Sequence, residues 1–289
     1  MPPLIRLLRP HQWLKNGFVL VGLLFAHAWN DAAKVEQALL SFVVFCLLSS
    51  AVYIFNDFLD RASDRLHPTK RLRPLASGTI SVNAALTLMA ACLASGLWLA
   101  FEASAAPWIF LLYIALNIGY TCGLKHVVVL DVFLIAAGFM LRLLAGTIGI
   151  GIAPSHWLLL CGLMLTLFLG FAKRRAELAA LPEDASGHRR VLDHYSEVLL
   201  DQFLTVAAAC TVVTYSLYTV SNETMTLHGS NHLMLTVPFV LYGLLHYMFR
   251  LQQRGGGGDP SRELFTDPHL IAAVAGWLLT TLAILAGRL

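Results

Sequence analysis

Nine apolar runs, at roughly 17–31, 36–56, 80–101, 106–124, 127–151, 154–172, 203–221, 232–249 and 268–286, restrict this chain more than any other feature. Each is read as long enough to cross about 30 Å of hydrocarbon. A chain that crosses lipid must pair its backbone polar groups within itself, and long runs without period-two alternation do so as helices. The 289 residues are 57% hydrophobic and 13% charged, against about a quarter charged in an ordinary soluble domain. The expected fold is all-α: one integral membrane bundle of nine transmembrane helices, a single domain over residues 1–289, with polar loops capping one face.

Net charge is only +3, and the placement of the cations says more. Arg6, Arg9, Lys15, Arg61, Arg65, Lys70, Arg71, Arg73, Lys125, Lys173, Arg174, Arg175, Arg189, Arg190, Arg250, Arg254 and Arg262 fall on one side of the nine runs, and Lys34 and Arg288 on the other. The positive-inside rule then puts the N-terminus in the cytoplasm and the C-terminus outside. Cations scattered over several loops do not make a nucleic-acid face. The expected location is the inner membrane, multi-pass, with the polar loops facing the cytoplasm and a homo-oligomer left open. Arg6 to Lys15, an apolar run and Ala26-His27-Ala28 imitate a cleavable signal peptide, but the first helix is expected to be retained.

The chemistry concentrates where the second run ends, in Asn56-Asp57-Phe58-Leu59-Asp60-Arg61-Ala62-Ser63-Asp64 and then His67-Pro68-Thr69-Lys70-Arg71-Leu72-Arg73-Pro74. On a helix Asp57, Asp60 and Asp64 stand at i, i+3 and i+7 and share a face, with Asn56 beside them. Aspartates near the bilayer centre cost about 2.5–3.5 kcal/mol each even on the lenient scale, so three of them call for a polar cavity and a cation. Mg²⁺ takes oxygen ligands from carboxylates and substrate phosphates, and the basic cluster that follows can grip the phosphates. Acid followed by base reads as a pyrophosphate site.

Other polar groups return to the same side. Lys125, after the fourth run, is a candidate phosphate ligand or a snorkelling anchor. Asp131 and Arg142 lie inside the fifth run, about 16 Å apart along a helix, so each is expected to find another partner. For Arg142 that partner is a substrate phosphate or a structural carboxylate. The long polar segment from Lys173-Arg174-Arg175 through Glu177 to Asp201-Gln202 is expected to end helically, with Asp193, Glu197 and Asp201 on one face. No H-E-x-x-H or C-x-x-C occurs; the five cysteines read as packing residues, and His228 and His232 as solvated loop residues. Gly255 to Gly258 reads as a flexible inner turn.

Asn56-Asp57-x-x-Asp60-x-x-x-Asp64 with Lys70, Arg71 and Arg73-Pro74-Leu75-x-Ser77-Gly78 closely resembles the first motif of the UbiA superfamily of intramembrane prenyltransferases, whose members hold an isoprenoid pyrophosphate through Mg²⁺. The usual second Asp-rich motif is replaced here by Lys173-Arg174-Arg175. With Arg9-Pro10-x-Gln12-Trp13-x-Lys15-Asn16, Lys125, Lys173-Arg174-x-x-Glu177-Leu178, Tyr195-Ser196 and Asp201-Gln202, the chain is similar to the subgroup that uses phosphoribosyl pyrophosphate as donor and a polyprenyl phosphate as acceptor. That resemblance implies Mg²⁺ on Asp57, Asp60 and Asp64, and substrate contacts from Asn56, Lys70, Arg71, Arg73, Lys125, Arg142, Lys173, Arg174, Glu177, Tyr195, Asp201, Lys15 and Asn16. A conventional prenyltransferase is the alternative within enzymes. A membrane transporter is the alternative of another class, with no internal repeat to support it.

Overall fold

The computed structural model describes residues 2–26, 28–67, 70–180, 190–253, 263 and 266–287. The middle of the polar segment including Arg189, the run Gly255 to Gly258, and His27, Pro68, Thr69, Arg254, Arg262 and Arg288 lie outside them. Among the described residues every regular element is helical. In chain order they are α1 (Pro3–Leu8), α2 (Phe18–Phe25), α3 (Ala32–Leu59), α4 (Arg61–Leu66), α5 (Val82–Ala103) and α6 (Trp108–Cys122). Then come α7 (Leu130–Ala145), α8 (His156–Ala179), α9 (Glu197–Val220), α10 (Asn222–His228), α11 (Val237–Gln252) and α12 (Pro268–Leu285), with short 3₁₀ turns between several of them.

Among the described residues seven helical segments are long and apolar enough to cross a membrane, and α6 is a shorter apolar helix. The first expected span, 17–31, differs. A 3₁₀ helix over Pro10–Gly17 leads into the eight-residue α2, and the chain then turns at Trp29 and Asn30 so that Asp31 can cap α3. Hydropathy registers the apolar stretch but not the break. Several long helices start on a side-chain cap: Asp31, Ser81, Ser155, Ser196 and Asp267 each accept from a backbone N–H of the first turn, satisfying donors that lipid cannot. Large apolar side chains such as Trp98, Phe101, Val206, Leu245, Phe249 and Leu279 stay exposed on the spans, as lipid-facing surfaces require.

The chain divides into two compact units, residues 1–124 with 141–153, and residues 125–140 with 154–289. In the first, Val44, Phe45 and Leu48 of α3 pack on Ile109, Phe110 and Tyr113 of α6, with Val19 of α2 and Leu141 and Ala145 of α7. The rings of Phe45 and Phe110 lie 5.0 Å apart. Gly146 lets α2 come in closely, since a Cβ there would lie 1.8 Å from the Val19 carbonyl oxygen. In the second, Val132 and Ala136 of α7 meet Phe168, Phe171 and Ala172 of α8, Leu200 and Leu204 of α9 and Tyr247 of α11. Close approach of small residues is how helices associate where lipid removes the hydrophobic drive.

His228 does not sit in a solvated loop: it ends α10, is 8% exposed, and its Nε2 lies 3.1 Å from the Tyr218 hydroxyl. Asp193 does not share a helical face with Glu197 and Asp201. It belongs to a 3₁₀ turn, and α9 begins only at Glu197 because Ser196 caps it there.

Candidate active site

In the first unit the acidic motif stands where α3 hands over to α4. Asp60 is the turn residue between them, but the hydrogen-bond ladder carries through it, with Asp60 N–H to Asn56 O at 2.9 Å and Asp64 N–H to Asp60 O at 2.8 Å. Asp57 and Asp64 therefore stay on one face, and both are buried, 2% and 3% exposed. They converge on one nitrogen: Arg73 Nη1 donates to Asp57 Oδ1 at 3.0 Å and to Asp64 Oδ2 at 2.7 Å. A second guanidinium arrives from the N-terminus, Arg9 Nη2 donating to the same Asp57 oxygen at 2.5 Å while its Cζ lies 5.0 Å from the centroid of the Tyr53 ring. Two carboxylates this deep are tolerable because cations reach them.

The surrounding residues set this node. Arg61 and Arg65 turn away from it and donate to the carbonyls of Leu75 and Ala76 at 3.2 and 3.1 Å, tying α4 to the loop that carries Arg73. Asn56 accepts from the Thr121 hydroxyl at 2.5 Å, which fixes it to the end of α6. Asp60 and Lys70 are half-buried nearby in sequence, and Arg71 is exposed. The single nitrogen shared by Asp57 and Asp64 marks a point within 3.0 Å of both where positive charge is accepted. Their hard oxygen donors are the kind Mg²⁺ takes. Among the described residues no group of three or more His, Cys, Asp or Glu side chains could hold a metal. A cation on this pair would complete its shell from phosphate oxygens and water.

Arg142 and Asn16 are not at that node. Arg142 is 6% exposed, donates Nε to Asn16 Oδ1 at 2.8 Å and Nη2 to the Tyr113 hydroxyl at 3.2 Å, and lies over the Phe45 and Tyr113 rings at 5.0 and 4.8 Å. Phe45 stands twelve residues before Asp57 on α3, so this cluster sits about 18 Å deeper along the helix. Amide, hydroxyl and aromatic faces surround the buried cation. Asn16 in turn donates to Cys46 Sγ at 3.3 Å. Lys15, beside it, is half-buried.

The second unit holds the other candidates. Arg174 is fully buried, its Nε 2.8 Å from Asp131 Oδ2 and its Nη1 on Glu177, so Asp131 and Arg142 do have separate partners, as their spacing required. Among the described residues Arg174 Nη2 is buried without a hydrogen-bond partner, an orphan donor of the sort a ligand oxygen satisfies. The Tyr195 hydroxyl donates to Asp131 Oδ1 at 3.1 Å and accepts from Val129 N–H at 2.7 Å. Burial, followed by the Asp131 charge, pushes that hydroxyl up to about 12, so it stays protonated as a donor at neutral pH. Arg175 pairs with Glu197 and Asp201, each at 2.9 Å. Lys125 and Lys173 are half-buried. Arg9 and Asp131 join these clusters although they are not among the expected site residues; the charge of Asp131 within an apolar run and the Arg9-Pro10 step before the first run are the signals the sequence offers for them.

The UbiA prenyltransferase family profile matches residues 17–266. A Corynebacterium glutamicum protein named decaprenyl-phosphate phosphoribosyltransferase is 36% identical over 282 residues, 95% of this chain and 84% of the relative. A Mycolicibacterium smegmatis protein of the same name is 33% identical over 96% of this chain and 90% of its own. Among solved structures, a UbiA homolog from Archaeoglobus fulgidus bound to GPP and Mg²⁺ has a TM-score of 0.74 at 20% identity, covering 99% of this chain and 100% of that one. A profile that takes in most of the chain, including the Asp57 to Arg73 node, settles its kinship: the chain is a member of the UbiA prenyltransferase family.

Proposed function

We propose that this protein transfers the 5-phosphoribosyl group of phosphoribosyl pyrophosphate to a polyprenyl phosphate, releasing pyrophosphate. The observation that carries this is the near-full-length likeness to relatives named decaprenyl-phosphate phosphoribosyltransferase. The bond from the ribosyl carbon to pyrophosphate breaks and one from a lipid phosphate oxygen forms, while the departing pyrophosphate keeps the electron pair. A lipid phosphate is already an oxyanion, so no general base is needed.

Asp57 and Asp64, with Asp60 and Asn56, would hold Mg²⁺, which supplies charge stabilisation to a leaving pyrophosphate when bound. Arg9, Arg73, Lys70 and Arg71 offer charged hydrogen bonds to phosphate oxygens around that pair. Lys125 and Lys173 are assigned to donor phosphate, and the orphan Nη2 of Arg174 supports the same role for it. Glu177 and Asp201 act through the arginines they pair with, and Arg142 and Asn16 hold the deeper packing in place. The chain is further read as one domain of nine spans in the inner membrane, with the N-terminus and the acidic motif on the cytoplasmic side. The family profile over 17–266 supports the single domain, and the cation distribution supports the orientation.

Purified protein given radiolabelled phosphoribosyl pyrophosphate, polyprenyl phosphates of several lengths and Mg²⁺ should make a labelled lipid. No labelled lipid at any length, with prenylation of an aromatic acceptor from an isoprenoid pyrophosphate instead, would overturn the reading in favour of a conventional prenyltransferase.

A further inference from the structure

Val129, just before α7, has φ +67°, a backbone region a β-branched residue rarely enters. Leu130 N–H donates to Val128 O at 2.8 Å, which closes a γ-turn of the strained hand around it. Strain of this kind persists only where the surroundings over-determine it. Here the Val129 N–H reaches the Tyr195 hydroxyl at 2.7 Å, and that hydroxyl bonds Asp131 Oδ1 at 3.1 Å. The other Asp131 oxygen faces Arg174 Nε at 2.8 Å, both side chains being fully buried. One hydroxyl thus joins the segment that carries Lys125, the start of α7 and, through Asp131, the Arg174 guanidinium whose Nη2 has no hydrogen-bond partner among the described residues.

We propose that Tyr195 is a positioning residue, its hydroxyl pinning the strained turn at Val129 and orienting Asp131, so that Arg174 and the Lys125 segment are held ready for a phosphate of the donor. This rests on the phosphoribosyl-transfer reading. The hydroxyl does not touch substrate: Tyr195 is 6% exposed, its proton is spent on Asp131 and it already accepts from Val129. Removing the hydroxyl takes away a neutral hydrogen bond to Val129 and one to the Asp131 carboxylate; a positioning effect the size of the neutral bond is about a three- to tenfold change in affinity.

Tyr195→Phe keeps the ring and removes the pin. Hydrogen exchange of the 124–131 backbone, measured on purified protein without substrate, should speed up. The donor KM should rise about three- to tenfold, with the lipid KM and kcat little changed. Adding Val129→Gly supplies a residue that takes φ +67° without strain, so the double variant should move back toward the wild-type donor KM. If Tyr195→Phe alone does not fold, the same comparison is made in the Val129→Gly background against Val129→Gly itself. Unchanged exchange overturns the pin whether or not the protein transfers phosphoribose. A raised donor KM that Val129→Gly does not relieve overturns positioning in favour of direct contact. Faster exchange in a protein whose wild type makes no labelled lipid leaves the pin standing and removes its role in the reaction.

Discussion

Asp57 and Arg174 are both buried charges, yet they are built for different tasks. Asp57 meets two guanidinium groups that are 21% and 29% exposed and so can be rearranged by a ligand; Arg174 is held by Asp131 through Nε and by Glu177 through Nη1, which leaves Nη2 over among the described residues. Asp57→Asn and Asp64→Asn should therefore keep the fold and lower kcat by about a hundredfold or more, as losses of charge stabilisation in a transition state do. Steady-state rates on detergent-purified variants with matched melting temperatures check this. Lys173→Ala should raise the donor KM about ten- to a hundredfold with the lipid KM unchanged, the worth of a charged hydrogen bond. The matching Arg174→Ala change is less informative, because it strands Asp131 without a counter-charge and costs stability as well. The acidic triplet and the basic residues after it were legible because their spacing is local and lipid makes carboxylates conspicuous. That Arg9 supplies counter-charge was not, since it stands 48 residues from Asp57, and that Arg73 turns back onto Asp57 and Asp64 depends on how the loop after α4 folds.

Helices were readable wherever a long apolar run followed a Ser or Asp cap, as at Asp31, Ser81 and Ser155. They are hidden where apolarity continues across a break. The 17–31 run hides a 3₁₀ helix and the short α2, whose place depends on contacts with distant Gly146. Likewise Asp193 has the right interval to share a face with Glu197, but a cap at Ser196 resets the helix between them. The α2 contact is tight enough to test. Gly146→Ala would set a methyl against the Val19 carbonyl, and the backbone must shift, at a cost of about 1–3 kcal/mol for an overpacked site. A fluorescence-detected thermal melt in detergent should show the drop, while Gly17→Ala, where a Cβ meets nothing within 4 Å, should melt close to wild type if the cost is steric.

Over the whole molecule, hydropathy and charge distribution bounded the architecture, and the division into two units with separate cores was beyond them, because it depends on which helices touch. The orientation can be checked directly. In a background with the native cysteines replaced, Ser63→Cys should react with an impermeant maleimide only after the cells are opened, and Glu102→Cys in intact cells. The reverse pattern would invert the topology. The arginines on Asp57 and Asp64 also bear on how the protein comes into being. A pair of buried anions would otherwise tie maturation to the supply of a divalent ion, as in small metal-dependent domains that are unfolded without it. Here the counter-charge is encoded in the same polypeptide, so chain insertion and assembly can finish before any ion arrives. EDTA should accordingly abolish transfer while leaving the melting temperature within a degree or two, and activity should return on adding Mg²⁺ with no refolding lag.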